Sequence, residues 1–271
     1  MSELYKQFLQ TPETFRRSRE EPESLPVKTQ QLDNLGSHWI GGFTTNFSSS
    51  QHICRFCTLT RSDFDHGCIS AAPDQFRTPD GYSIALSKVS PDVPLVDGIK
   101  QQSIFNELKY FHVCAPGLPP CAAHDLFEGI VVFDLPLFLQ HFVKLKSFSV
   151  QQLNKRIQHL ELSGSESKVR PAALNEKLQR LSGLASQNWC FLHFIPLLIY
   201  DLVSCADDVY QLILLLGSVV ELVMAPALSV GQISYMKVLI DDYLSKRSAL
   251  FPDVPMRPKH HYLSHYPWMT L

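Results

Sequence analysis

"HDLFEGIVVFDLPLFLQHFVKL", residues 124–145, decides what kind of fold this chain builds. Its apolar residues recur at helical spacing, and Asp125 and Glu128 stand three apart just ahead of the apolar run. That pairing is the carboxylate version of a capping box, in which side-chain oxygens take up the unpaired amides of a first helical turn. The pattern therefore predicts a helix from Asp125 to about Leu145, with Cys121 and His124 on the loop before it. On this reading Glu128 serves backbone amides and not chemistry.

Working outward toward the C-terminus, the helical character persists. "SVQQLNKRIQHLEL" at 149–162 has apolar residues on one face, and the polar "SGSESKVRPA" that follows reads as a loop. Further helices are predicted near 174–181, 187–203, 207–224 and 229–247, the last with Ser229 as N-cap, and another begins within 259–266. The tracts 189–204 and 209–224 are the most apolar, but Pro196 and Asp201 interrupt the first and Gln211 and Glu221 the second. Both read as buried core helices and not as membrane spans.

Working toward the N-terminus, the character changes. Residues 33–124 are rich in Gly, Pro, Ser and aromatics without helical period, which predicts short strands and long loops. Residues 1–32 are polar, with "TPET" as a helix start and "EEPESLP" as a stop, giving one short helix in a poorly ordered segment. The fold class expected is mainly α, in three parts: 1–32, a loop-rich 33–124, and a helical 125–271.

Composition excludes several function classes. With 271 residues, 45% of them apolar, the chain can bury a sizeable core. A formal net charge of -2 gives no global attraction to nucleic acid, membrane or an acidic ligand, so any such partner must meet a local patch. The N-terminus carries both charge signs and no apolar run, so no secretory signal is expected, and seven cysteines, an odd number, favour reduced thiols in the nucleus or cytoplasm. No Gly-rich phosphate loop and no Ser nucleophile elbow is present.

The chemistry-bearing motifs are thiols and imidazoles. "CRFC" places Cys54 and Cys57 at a spacing that lets two thiolates from one tight turn reach a tetrahedral zinc. The other half of such a site has several candidates: Cys121 with His124, His66 with Cys68, and His260, His261 and His265 in "RPKHHYLSHYP". On a helix His261 and His265 stand at i and i+4 on one face, as two imidazoles sharing a metal require, while His260 points elsewhere. The bland alternative is buried small cysteines and surface histidines.

Taken in order, "DNLGSHWIGGF" at 33–43, "CRFC", "GLPPCAAHDLFEGI", "QNWCFLHFIPLLI", "APALSVGQISYMKVLIDDYL" and "RPKHHYLSHYP" resemble the catalytic region of animal CACTA (En/Spm) transposases and the proteins derived from them. The likeness runs from Asp33 to Pro267. It implies a remnant of an RNase H-like α/β catalytic domain carrying a large all-helical insertion. In that family three carboxylates hold two magnesium ions for phosphodiester cleavage and strand transfer. Asp33 matches the second of these acids. The resemblance also implies a zinc site on Cys54, Cys57, His261 and His265, with His260 the competitor for the first histidine.

The departures matter as much. Only about thirty polar residues precede Asp33 where a strand bearing the first acid is expected, and the chain stops six residues after His265 where a third acid is expected further on. The chain is accordingly expected to be inactive, with zinc as its structural metal and magnesium belonging to the intact parent family. Two partner classes stay open, DNA for a transposase-derived binder and other proteins for a helical interaction module with no nucleic-acid role; no membrane is expected. Lys144, Lys146, Lys155, Arg156, Lys168, Arg170, Lys177 and Arg180, with Arg257 and Lys259 beside the histidines, read first as an ordinary solvated helix face and second as a phosphate-tracking stripe.

Overall fold

The computed structural model describes residues 33–46 and 50–269. The short helix expected from "TPET" lies outside them. Among the described residues the chain is helical with no strand, only isolated bridges such as Phe43 to Ile99 and Cys57 to Phe76. The strands expected in the N-terminal third are thus replaced by short helices and turns: α1 (Asn34–Ile40), α2 (Arg61–Asp65) and α3 (Pro79–Ser87). Each is started by a side chain, Asp33, Thr60 and Thr78 respectively, accepting from an amide of the first turn. Polar cap residues every few positions favour such short helices over a ladder.

The C-terminal part is a bundle. Helix α4 (Ala123–Lys144) is followed by α5 (Val150–Gln158), α6 (Ala185–Ile199), α7 (Asp208–Val223), α8 (Val230–Leu250), and the short α9 (Pro258–Leu263) and α10 (Tyr266–Met269). Ser229 caps α8 as the sequence predicts, its hydroxyl accepting from the Gln232 amide. The helix expected at 174–181 does not form. Leu178 there adopts φ 46, a left-handed turn that tucks its side chain into the core.

Helix α4 is the axle of this bundle. Leu126, Phe127, Ile130, Leu135, Phe138 and Leu139 are fully buried against Ile195, Leu212, Leu216, Met236 and Tyr243. Each such side chain contributes about 1.5–3 kcal/mol by leaving water. Pro136 inside α4 lacks an amide, which frees the carbonyl of Val132 one turn earlier; that carbonyl accepts instead from the Leu181 amide at 3.1 Å. The first turns of α4, Ala123–Ile130, are wound wider than an α-helix, and the Phe127 carbonyl accepts from the Asn188 side chain at 2.9 Å. Among the described residues α4 alone is long and apolar enough to cross a membrane, and 67% of its most apolar window is buried inside the protein.

Two smaller apolar clusters sit in the N-terminal third. Phe43, Tyr82, Ala85, Ile99, Val113 and Leu118 form one, tied by the Tyr82 hydroxyl, which reaches the carbonyls of Gly41 at 3.0 Å and Gln101 at 2.8 Å. Gly42 is required there: its φ is +72, and a side chain would start 2.1 Å from the Gln101 carbonyl. Ile53, Cys54, Phe56, Cys57, Leu59 and Phe64 form the other, closed by Tyr262 from α9. This second cluster joins the two ends of the described chain.

Candidate metal centre

Cys54 and Cys57 lie on a tight loop braced by the His52 to Thr60 and Cys57 to Phe76 bridges. The Phe56 amide points at the Cys54 sulfur, 3.2 Å away, and the Arg77 guanidinium holds the Cys54 carbonyl at 3.2 Å. His261 sits in α9 and His265 just beyond its end, so the i and i+4 spacing turns both rings toward the same sulfurs. The Cys54 sulfur is 3.5 Å from Nε2 of His265, the Cys57 sulfur 3.2 Å from Nε2 of His261, and the two Nε2 atoms 3.1 Å apart. All four ligand atoms fall within 4.8 Å of one another, and all four residues are buried.

That geometry fits a tetrahedral ion. With metal–sulfur and metal–nitrogen bonds of about 2.3 and 2.0–2.1 Å, the edges of a tetrahedron are about 3.3–3.8 Å. Two thiolates and two imidazoles form a donor set suited to zinc. Ring orientation agrees. Nδ1 of His261 lies 2.6 Å from the Ile69 carbonyl, and since a carbonyl only accepts, Nδ1 carries the proton and the Nε2 lone pair faces the cluster.

Electrostatics sharpen the picture. Burial pushes the Cys54 thiol up, but the hydrogen bond from Cys57 and the charges of His265 and His261 outweigh it and hold Cys54 well below the usual thiol range. Cys57 is raised by the same shared hydrogen bond and by burial. Burial would lower His261, yet the Cys54 charge raises it; His265 is lowered, chiefly by burial. Nearby His38 is pushed down to about 4 by burial and by Arg55, keeping that ring neutral where it bonds the Thr44 carbonyl at 2.8 Å. Phe56 and Phe76 pack on His265 with ring centroids 5.1 and 5.3 Å away and shield the cluster from water.

The other candidates lie elsewhere. His260 turns into the helical core, where its Nε2 meets the Asp134 carboxylate at 2.8 Å. Cys121 and His124 bond one another at 2.9 Å away from the four-residue cluster. His66 and Cys68 are exposed, and their side chains contact local carbonyls of Ser62 and Ser70.

Asp33 is exposed and caps α1, its carboxylate accepting from the Gly36 amide at 2.6 Å. Asp125 is not the cap that the sequence suggests. It lies inside α4, fully buried, with Oδ1 accepting from Asn34 at 2.7 Å and Lys259 at 2.9 Å and Oδ2 from the Tyr266 hydroxyl at 3.2 Å. The helix starts two residues earlier than expected, at Ala123, so the acid falls inside it and on its inner face. Glu128 is likewise no cap; it faces His124 across 3.6 Å. Arg55 joins the Asp125 network, bonding Asn34 at 2.7 Å and the Pro119 carbonyl at 2.9 Å from a position between the two cysteines.

A second buried network escaped the sequence reading. Asp134 accepts from the Tyr243 hydroxyl at 2.5 Å, from His260, and from Arg247 at 3.3 Å. A lone acid within the apolar "VVFDLPLF" was the available signal.

Neither a family model, nor a curated protein, nor a solved structure matches the chain.

Proposed function

We propose that this chain is a zinc-stapled helical protein derived from a CACTA-type transposase, that it no longer cleaves DNA, and that it acts by binding, with DNA as its first partner. The observation that carries the reading is the closure of Cys54 and Cys57 onto His261 and His265, more than two hundred residues apart, at tetrahedral spacing. An ordered thiol pair and histidine pair separated by a long helical insertion is what the resemblance implies, and two chain ends joined in this way support it. The proposed RNase H-like ancestry of the N-terminal third rests on the same motifs.

The carboxylates support loss of cleavage. Asp33 caps a helix, and both oxygens of Asp125 are occupied by Asn34, Lys259 and Tyr266. Neither carboxylate is arranged to share a pair of hard cations. The basic surface supports contact with phosphate: Lys144, Lys146, Lys155, Lys168, Lys177 and Arg180 are exposed, whereas Arg156 is tied to Asp201 and Arg170 to the carbonyls closing α5.

The test is binding to duplex DNA by the zinc-loaded chain across a salt series. Expected is a log–log fall in affinity whose slope flattens by about one for each phosphate-contacting cation removed. Affinity indifferent to salt, or to replacing Lys177 and Arg180, would reject the DNA reading. A second reading, a protein-interaction module, is favoured by Leu35 and Trp39, four apart on α1 and 53% and 67% exposed. Self-association or partner binding lost in Trp39→Ser, with DNA binding absent, would favour it.

A further inference from the structure

The Cys121 sulfur lies 2.9 Å from Nδ1 of His124, and Nε2 of the same ring lies 3.6 Å from the Glu128 carboxylate. This chain of thiol, imidazole and acid stands along the first turns of α4, away from the metal centre, and neither the zinc reading nor the DNA reading uses it. Its order is that of an activated nucleophile: a sulfur, a base in hydrogen-bonding reach, and a third group holding the far side of the base. Cys121 is nearly covered, at 4% exposure, while the side chains of His124 and Glu128 are 42% and 46% exposed. The exposed side of the group is therefore its histidine and glutamate flank. Asp125, Tyr266 and Lys259 are the other titratable groups at this spot; the Tyr266 hydroxyl, from the C-terminal segment, is bound to the Asp125 carboxylate. Lys259 approaches from α9, its side chain packed over Gly129 and its ammonium bound to Asp125.

We propose that Cys121, His124 and Glu128 form a reactive-thiol site for small electrophiles, with hydroperoxides as the class of reagent. The sulfur attacks the distal peroxide oxygen as Nδ1 of His124 takes the thiol proton. An S–O bond forms and the O–O bond breaks. The proton passes to the departing oxygen, which leaves as water or an alcohol. The sulfur is oxidised by two electrons to a sulfenic acid and the peroxide is reduced by the same two. Glu128 stabilises the imidazolium that exists between the two proton transfers. The remaining thiols lack this arrangement. Cys54 and Cys57 belong to the metal cluster, Cys190 is buried in the core, and Cys114 is pushed up to about 11 by burial. Cys68 and Cys205 are exposed and make internal references.

The experiment treats the zinc-loaded chain with hydrogen peroxide, traps sulfenic acid with dimedone, and follows each cysteine by peptide mass spectrometry. Cys121 is expected to be labelled roughly tenfold or more faster than Cys68 and Cys205, and His124→Gln to slow it at least tenfold, a modest fraction of what general-base catalysis supplies. Glu128→Gln is expected to slow it less, with Cys68 and Cys205 unchanged in both variants. Labelling of Cys121 no faster than the exposed thiols overturns the proposal, as does an unaltered rate in His124→Gln. If that variant fails to fold by circular dichroism, Glu128→Gln, altered at a half-exposed side chain, decides: an unchanged rate rejects the relay.

Discussion

Nδ1 of His261 donates to the carbonyl of Ile69 at 2.6 Å, and this single bond presents the opposite nitrogen of the ring to Cys57. It also ties α9 to the loop following α2, so the site is held by two elements that share no local sequence. The metal is then expected to matter for folding. The purified chain should carry one zinc per molecule, and a chelator should lower its melting temperature, since binding energy at such a site is folding energy. Metal analysis of a Cys54→Ser, Cys57→Ser double variant should find the zinc gone. Equal zinc in wild type and variant would refute the assignment.

His260 and His261 are neighbours with opposite fates. His261→Ala is expected to lose the metal, and His260→Ala to keep it while becoming less stable by about 1–3 kcal/mol, since Asp134 loses one buried partner but keeps Arg247 and Tyr243. Zinc content and urea unfolding of the two variants separate the roles. Loss of zinc in both would mean that the histidine assignment is incorrect.

Asp125 gives a prediction that differs by its size. As a simple cap, Asp125→Ala would cost about 1 kcal/mol. As a fully buried carboxylate holding Asn34, Lys259 and Tyr266, it should cost about 3–5 kcal/mol. Chemical denaturation distinguishes the two, and the smaller value would return the residue to a capping role.

The Asp134 network makes stability fall in acid. Burial raises this carboxyl, but His260, Arg247 and Tyr243 together bring it down to about 2 from an ordinary 3.8. A depressed folded value means that the stabilisation is present above the unfolded value and lost as pH falls through the folded one. The loss is therefore confined to the range between about pH 4 and pH 2, and amounts to about 2 kcal/mol. Unfolding free energies for wild type and Asp134→Asn should converge across that window. A constant difference between them down to pH 2 would contradict the linkage.

The helical two-thirds was legible because it obeys one rule, apolar residues at helical spacing with polar caps, and α4 to α8 fall close to where that rule puts them apart from the segment at 174–181. There a left-handed Leu178 serves the core, and no local pattern announces a tertiary demand of that kind. The four-residue cluster was legible for a different reason: thiols and imidazoles able to share a metal come in local pairs, so Cys54 with Cys57 and His261 with His265 each left a short signature. What joined the pairs was the resemblance, not the spacing. Asp125 was misread because an acid three residues ahead of another looks like a cap whatever lies across the bundle. Lys259 stands 134 residues from Asp125, and nothing near Asp125 foretells it.

The last prediction concerns cleavage. Asp33 occupies the place that the resemblance gives to a catalytic acid, yet its carboxylate accepts a 2.6 Å bond from the Gly36 amide and starts a helix. Two-metal phosphodiester chemistry needs several carboxylate oxygens converging on ions about 4 Å apart. The nearest buried acid in the same network of residues is Asp125, which reaches α1 through Asn34, and its oxygens are taken by an amide, an ammonium and a phenol. Freeing them would leave Lys259 without the carboxylate that pairs with it. Supercoiled DNA incubated with the zinc-loaded chain and either magnesium or manganese is therefore expected to remain intact. The Asp33→Ala variant should behave as wild type in that assay while losing about 1 kcal/mol of stability as an emptied N-cap. Cleavage by the wild type that vanishes in Asp33→Ala would show that the capping carboxylate leaves its helix to bind metal.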